Sequence, residues 1–231
     1  LLISHRYQFI FMKTKKTAGT SVECYFEPYC MAPDDPKAPS ERNGKRAYIS
    51  EHGIIGARGS KGLEQSGWLA HMPARKIREG IGEDIWSSYF RFATIRNPYE
   101  KAISAYFHQK HRRRVPIADL ATERAAFEVW LADDKPPIDR DKFMIGKQYC
   151  LSDVIRFESL LPDLERICSR LGIPFEPQRL GRKKSHIRPA LATVYNMYTD
   201  PGRASVTARY ALDIELFGYG FPETKDGAGT Q

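Results

Sequence analysis

The stretch Phe9-Ile10-Phe11-Met12-Lys13-Thr14-Lys15-Lys16-Thr17-Ala18-Gly19-Thr20-Ser21-Val22-Glu23 decides how the chain is read. Its apolar opening, with β-branched and aromatic members, predicts a buried strand. A basic turn follows, and small hydroxyl residues around one glycine then predict the opening of a helix over residues 17–21. The first N–H groups of a helix point outward and carry partial positive charge, so such a start attracts an anion. Gly19 lets the backbone approach that anion closely. Lys16 adds a full charge, and the hydroxyls of Thr17, Thr20 and Ser21 add donors. The plain alternative is an ordinary strand–turn–helix with a lysine on its rim. The pattern is not the nucleotide loop G-x-x-x-x-G-K-[ST], because the lysine precedes a single glycine.

The arrangement recurs downstream. Tyr89-Phe90-Arg91-Phe92-Ala93-Thr94-Ile95 predicts a second strand, Arg96-Asn97-Pro98 a turn, and residues 99–108 a proline-led helix. A third strand is predicted over residues 153–158, and a helix over Leu160–Leu171 stopped by Gly172. Repeated strand–turn–helix units predict an α/β fold, one domain over residues 1–231, with a central parallel sheet flanked by helices and ligands at the carboxyl ends of its strands. An arginine leaving a strand end, as Arg96 does, can grip phosphate through its planar fork, and Ser104 on the next helix adds a donor. The structural alternative pairs Arg96 with Glu100. Residues 29–67 read as a loop-rich insertion, interrupted by Glu51-His52-Gly53-Ile54-Ile55-Gly56 as a short strand or structured turn. Two helical stretches around 191–198 and 204–216 close the domain, and the polar tail 223–231 is expected to fray.

Composition narrows the partners. Lys and Arg number 36 against 28 Asp and Glu, a formal net charge of +8 over 231 residues. That excess favours a nucleotide, acidic glycan, nucleic acid or membrane surface and does not choose among them. No apolar stretch is long enough to span a bilayer. Leu1-Leu2-Ile3 runs at once into Ser4-His5-Arg6 and does not read as a signal peptide, although a start other than methionine leaves an upstream segment open. Cys24, Cys30, Cys150 and Cys168 form no C-x-x-C and no zinc-site spacing. They read as thiols of a reducing, cytoplasmic compartment, with a Cys24–Cys30 bridge as the alternative. No metal is expected.

The core Lys16-Thr17-Ala18-Gly19-Thr20-Ser21 resembles the phosphosulfate-binding loop of the sulfotransferases, in the glycan-type, bacterial-like branch, with Lys15 where that family usually has proline. Arg96-Asn97-Pro98 followed by Ser104 resembles the family's 3'-phosphate motif. The resemblance implies the fold shared with P-loop kinases and a donor, 3'-phosphoadenosine 5'-phosphosulfate (PAPS), bound by Lys16, Thr17, Ala18, Gly19, Thr20, Ser21, Arg96 and Ser104. It also implies Arg182, Lys184 and Arg188 in a late basic loop closing over the nucleotide. His71-Met72-Pro73 is similar to the family's His-Leu-Pro, which makes His71 the general base beside catalytic Lys16, with His52 as the runner-up. An imidazole has a suitable unperturbed pKa for that role. The implied acceptor is a hydroxyl on a sugar-rich or anionic molecule, not nucleic acid. Two other readings compete: a kinase-like phosphotransferase, which would want the glycine-rich loop and magnesium, and a non-catalytic basic module, which would bind polyanions in a steeply salt-dependent way.

Overall fold

The computed structural model describes residues 1–35, 46–58, 67–133, 136–181 and 187–223. They cluster into two compact units, Leu1–Ile95 with Asp139–Lys183, and Arg96–Ile138 with Lys184–Gln231.

The first unit holds a six-stranded sheet. In chain order its strands are β1 (Leu2–Ser4), β2 (Phe9–Met12), β3 (Tyr48–Ser50), β4 (Gly53–Ile55) and β5 (Phe90–Ile95). After a small hairpin of β6 (Met144–Ile145) and β7 (Gln148–Tyr149), β8 (Asp153–Arg156) completes it. The spatial order is β3-β4-β1-β2-β5-β8. The expected α/β fold is present, and its parallel pairing is confined to β2–β5 and β5–β8. The other half is antiparallel, because β1 turns back into β2 within four residues and β3 into β4 within two. β1 is a core strand: Leu1, Leu2 and Ile3 are fully buried. The β3–β4 hairpin lies inside the stretch read as loop-rich, and β4 falls within residues 51–56, expected as a short strand or structured turn. β3 is three residues long and Ile49 faces solvent, so no periodicity announces it. Gly53 is required there, since a Cβ would stand 2.2 Å from the Ile3 carbonyl oxygen.

Helix α1 (Gly19–Phe26) follows β2, and α2 (Ala74–Ile81) and α3 (Glu83–Ser88) precede β5. The core joins sheet to helices through aromatic rings. The centroids of Phe9 and Phe26 lie 5.6 Å apart, those of Phe9 and Phe92 5.7 Å, and those of Phe26 and Phe92 5.3 Å, within the range of favourable edge and tilted packing.

The second unit is helical: α4 (Pro98–Arg113), α5 (Leu120–Ala132), and, beyond the first unit's α6 (Arg140–Phe143) and α7 (Leu160–Leu171), α8 (Val194–Met197), α9 (Asp200–Arg209) and α10 (Ala211–Phe217). Tyr106, Phe127, Tyr198 and Tyr210 lie in its core. Asn97 caps α4, its Oδ1 accepting from the Tyr99 amide at 3.0 Å, and its Nδ2 donates to the Gly220 carbonyl at 2.8 Å. The basic run at residues 110–113 occupies the last turn of α4, where positive charge meets the negative helix pole. The stretch 204–216 is two helices rather than one, parted at the fully buried Tyr210, whose hydroxyl donates to the Pro137 carbonyl at 2.7 Å.

Candidate functional site

In the first unit, β2 delivers the chain into a strained turn. Lys16 has φ 64° and Ala18 φ 60°, a left-handed conformation that side-chain-bearing residues adopt only when surroundings hold them in it. The surroundings here are hydroxyls. Thr17 Oγ1 lies 2.7 Å from both Thr14 Oγ1 and Thr94 Oγ1, and Thr14 also donates to the Thr94 carbonyl. All three threonines are buried, so the turn is tied to the neighbouring strand β5. The Thr17 hydroxyl, expected to face an anion, is turned inward to this network.

Gly19 also has a role other than the expected one. A Cβ there would stand 3.1 Å from Lys13 Cγ, 3.2 Å from the Thr14 carbonyl oxygen and 3.3 Å from Thr94 Oγ1. The missing side chain serves the close packing of α1 on the strands. The helix opens two residues later than expected, with Ala18 at its N-cap, no side-chain cap and no acidic residue in the first turn. The Ser21 amide is already engaged by the Ala18 carbonyl at 2.8 Å.

Lys15, in place of the family's usual proline, brings an N–H that proline lacks. Asp139, fully buried, accepts it through Oδ2 at 2.9 Å. Lys15→Pro, although it restores the more usual residue, is therefore expected to cost about 1–3 kcal/mol by withdrawing a donor from a buried carboxylate. Denaturant unfolding checks it, and an unchanged midpoint counts against this part for Asp139.

Sequence reasoning passed over Lys13, Glu23 and Arg58. Lys13 leaves β2 buried and donates from Nζ to Glu23 Oε2 at 2.6 Å, and Arg58 Nε donates to the same oxygen at 2.8 Å. Arg58 also bridges to Glu27. Burial pushes the Glu23 carboxyl up, but the positive charges of Lys13 and Arg58 pull it below the usual carboxylate range. The only signal in the sequence was a charge inside an otherwise apolar helix face.

His71 is set on the same turn. The chain before it is stitched to residues 56–57: the Ala57 amide donates to the Trp68 carbonyl at 2.9 Å and the Ala70 amide to the Ala57 carbonyl at 2.8 Å. Trp68 lies against Gly80 of α2, where a Cβ would meet its ring at 2.6 Å. His71 Nδ1 is 3.0 Å from the Lys13 carbonyl oxygen. A carbonyl only accepts, so Nδ1 carries the hydrogen and Nε2 is the basic nitrogen. Loss of water around the ring and the nearby Lys13 charge push its pKa down to about 4. His52 sits elsewhere. Ser4 pairs with both Gly53 and Phe9, and the His5 amide donates to the His52 carbonyl at 3.0 Å. These pairings put His52 at the end of the sheet where β2 begins, opposite the turn.

In the second unit, Arg96 Nη2 donates to Glu100 Oε2 at 3.1 Å, and Arg188 bridges to the same carboxylate while its Nε donates to the Ala192 carbonyl at 2.5 Å. The ion pair weighed as the structural alternative is thus formed, and a second arginine joins it. Ser104, half-buried, stands four residues beyond Glu100 on α4, which places the two on one helix face. Arg182 and Lys184 lie outside the described residues, as does the tail from 224.

Among the described residues no cluster of three or more His, Cys, Asp or Glu side chains is placed to hold a metal ion, and no helix is long and apolar enough to cross a membrane. The four cysteines are free thiols. No curated protein and no solved structure matches the chain. What does match runs from the first residue through both motifs: the model of the sulfotransferase family covers residues 1–220, and the chain belongs to that family.

Proposed function

We propose that the protein moves a sulfuryl group from PAPS to an acceptor hydroxyl on a carbohydrate. The observation that carries this is the 3.0 Å contact of His71 Nδ1 with the Lys13 carbonyl, which aims a neutral imidazole from the turn that bears Lys16. Sulfuryl transfer rests on positioning and on stabilising developing charge, as phosphoryl transfer does. The first turn of α1, lacking any acid, the amides at its head and the hydroxyls of Thr20 and Ser21 suit the 5'-phosphosulfate, while the Thr17 hydroxyl braces the turn from within. Lys16 neutralises the charge that builds on the phosphate oxygen as its bond to sulfur breaks. The acceptor oxygen forms the new bond to sulfur, and its proton passes to His71 Nε2. Arg96, Ser104 and Arg188 bind the 3'-phosphate, which competes with Glu100 for the two guanidinium groups, and Arg182 and Lys184 close on the nucleotide. The two units serve as one domain. The exposed basic residues 111–114 favour a sugar-rich, anionic acceptor, and the free thiols suit a reducing compartment such as the cytoplasm.

Calorimetric titration with 3'-phosphoadenosine 5'-phosphate, against ADP and AMP and in EDTA, tests the donor. Binding of the bisphosphate alone is expected. Equal affinity for all three nucleotides, or a requirement for magnesium, overturns the assignment in favour of a kinase-like enzyme. No nucleotide binding, together with salt-sensitive binding of polyanions, points to the basic module.

A further inference from the structure

We propose that Glu100 sets the affinity for the donor's 3'-phosphate: it is a resident anion that holds Arg96 and Arg188 until that phosphate displaces it, and it takes them back as the product leaves. The inference deepens the reading of Arg96 and Arg188 as 3'-phosphate residues and rests on that reading.

One carboxylate gathers two arginines from distant parts of the sequence. Arg96 Nη2 donates to Glu100 Oε2 at 3.1 Å. Arg188 meets the same oxygen through Nη1 and the other oxygen through Nη2 at 3.5 Å, while its Nε donates to the Ala192 carbonyl. The two outer nitrogens of an arginine form the fork that grips a phosphate in two parallel bonds. In Arg188 the carboxylate already fills that fork, so a phosphate takes it only by replacing Glu100. The cluster is half-buried, with Glu100 26% and Arg188 24% exposed. A ligand in water can reach it, and the charges are screened less than at an open surface. Helix α4 does not need the acid in order to begin. Asn97 caps it through the Tyr99 amide at 3.0 Å, and Pro98 opens it. An acid in the first turn does suit the positive helix pole, but the same pole draws an anionic ligand. A carboxylate held there repels the phosphate and competes for the same donors. Donor and product feel this alike, because 3'-phosphoadenosine 5'-phosphate keeps its 3'-phosphate after the sulfuryl group has gone. AMP has no 3'-phosphate and does not meet Glu100.

The test is calorimetric titration of the wild type and of Glu100→Gln with 3'-phosphoadenosine 5'-phosphate and with AMP. The amide keeps the length of the side chain and removes one charge. The bisphosphate is expected to bind Glu100→Gln about tenfold more tightly or better, the scale of relieving a close like charge. The gain should appear mostly as slower dissociation, and the affinity for AMP should not change. Should Glu100→Gln not fold, Glu100→Ala carries the same expectation. Glu100→Asp keeps the charge and is expected to gain less than the neutral variant. Weaker binding of the bisphosphate to the neutral variant makes Glu100 a support for the two arginines and overturns the proposal. Unchanged binding, an equal gain for both nucleotides, or an equal gain in Glu100→Asp overturns it too. The wild type separates this proposal from the wider reading. A wild type that prefers the bisphosphate to AMP, beside a neutral variant that gains nothing, removes only the part given to Glu100. A wild type that does not tell the two nucleotides apart removes the 3'-phosphate assignment of Arg96 and Arg188, and the part of Glu100 falls with it.

Discussion

Lys16→Ala is expected to slow sulfuryl transfer by about a thousandfold or more, the scale of losing one preorganised charge that meets a developing anion. Lys16 stands half-buried in the turn between β2 and α1, one residue before Thr17, while Lys13 is committed to Glu23. The loss should fall on kcat, because the charge on the bridging oxygen grows as its bond to sulfur breaks and is smaller in the bound donor. Affinity for 3'-phosphoadenosine 5'-phosphate should weaken far less. Folding should survive, since lysine and alanine bear the same left-handed strain at φ 64°. Single-turnover rates, nucleotide titration and thermal unfolding of the variant check each part. Near-normal turnover in a folded variant defeats the assignment of Lys16, and equal losses in rate and affinity demote it to a binding residue.

The two strand–turn–helix units were legible because each strand is an apolar run ended by chemistry that stops it: a lysine-rich turn after Met12, and Arg96-Asn97-Pro98 after Ile95. Asn97 and Pro98 announce the helix through capping, which is local and thus visible in one dimension. β1 and β3 were not legible, and β4 only as a short strand or turn within residues 51–56. Three residues cannot display a period, and the burial of Leu1, Leu2 and Ile3 depends on partners that lie far along the chain. The same limit hid the supports of the site. Lys13, Glu23 and Arg58 look like ordinary charges in the sequence, and only the fold places two cations on one buried carboxylate oxygen. The inward hydroxyl of Thr17 and the packing role of Gly19 were hidden for a related reason. A motif states which residue types occur together, whereas the direction each side chain faces depends on β5 and on Thr94 within it. His71 was separable from His52 only through strand register, because Ser4 pairs with Gly53 and Phe9 at one end of the sheet while Lys13 lies at the other.

His71→Ala is expected to lower kcat by about a hundredfold or more, the usual contribution of a positioned general base, with the affinity for 3'-phosphoadenosine 5'-phosphate retained. The imidazole touches the turn through one hydrogen bond to the Lys13 carbonyl and is exposed on its other side, so its removal leaves the donor-binding turn intact. The pH profile gives the sharper evidence. A histidine of ordinary pKa lets kcat/KM for the donor fall below about pH 6.5, whereas His71, held down to about 4 by loss of water and by Lys13, should keep it level well below that point. The variant should show no such acid limb. Stability follows the same proton. The unfolded chain takes it up from about pH 6.5, and the folded ring only near 4, so the contribution of His71 is complete above 6.5 and declines as pH falls toward 4. In His71→Ala that part of the acid sensitivity should vanish, which unfolding curves at pH 7 and pH 5 read directly. A collapse of nucleotide affinity makes His71 a binding residue. A profile that keeps its acid limb in the variant assigns the limb to another group.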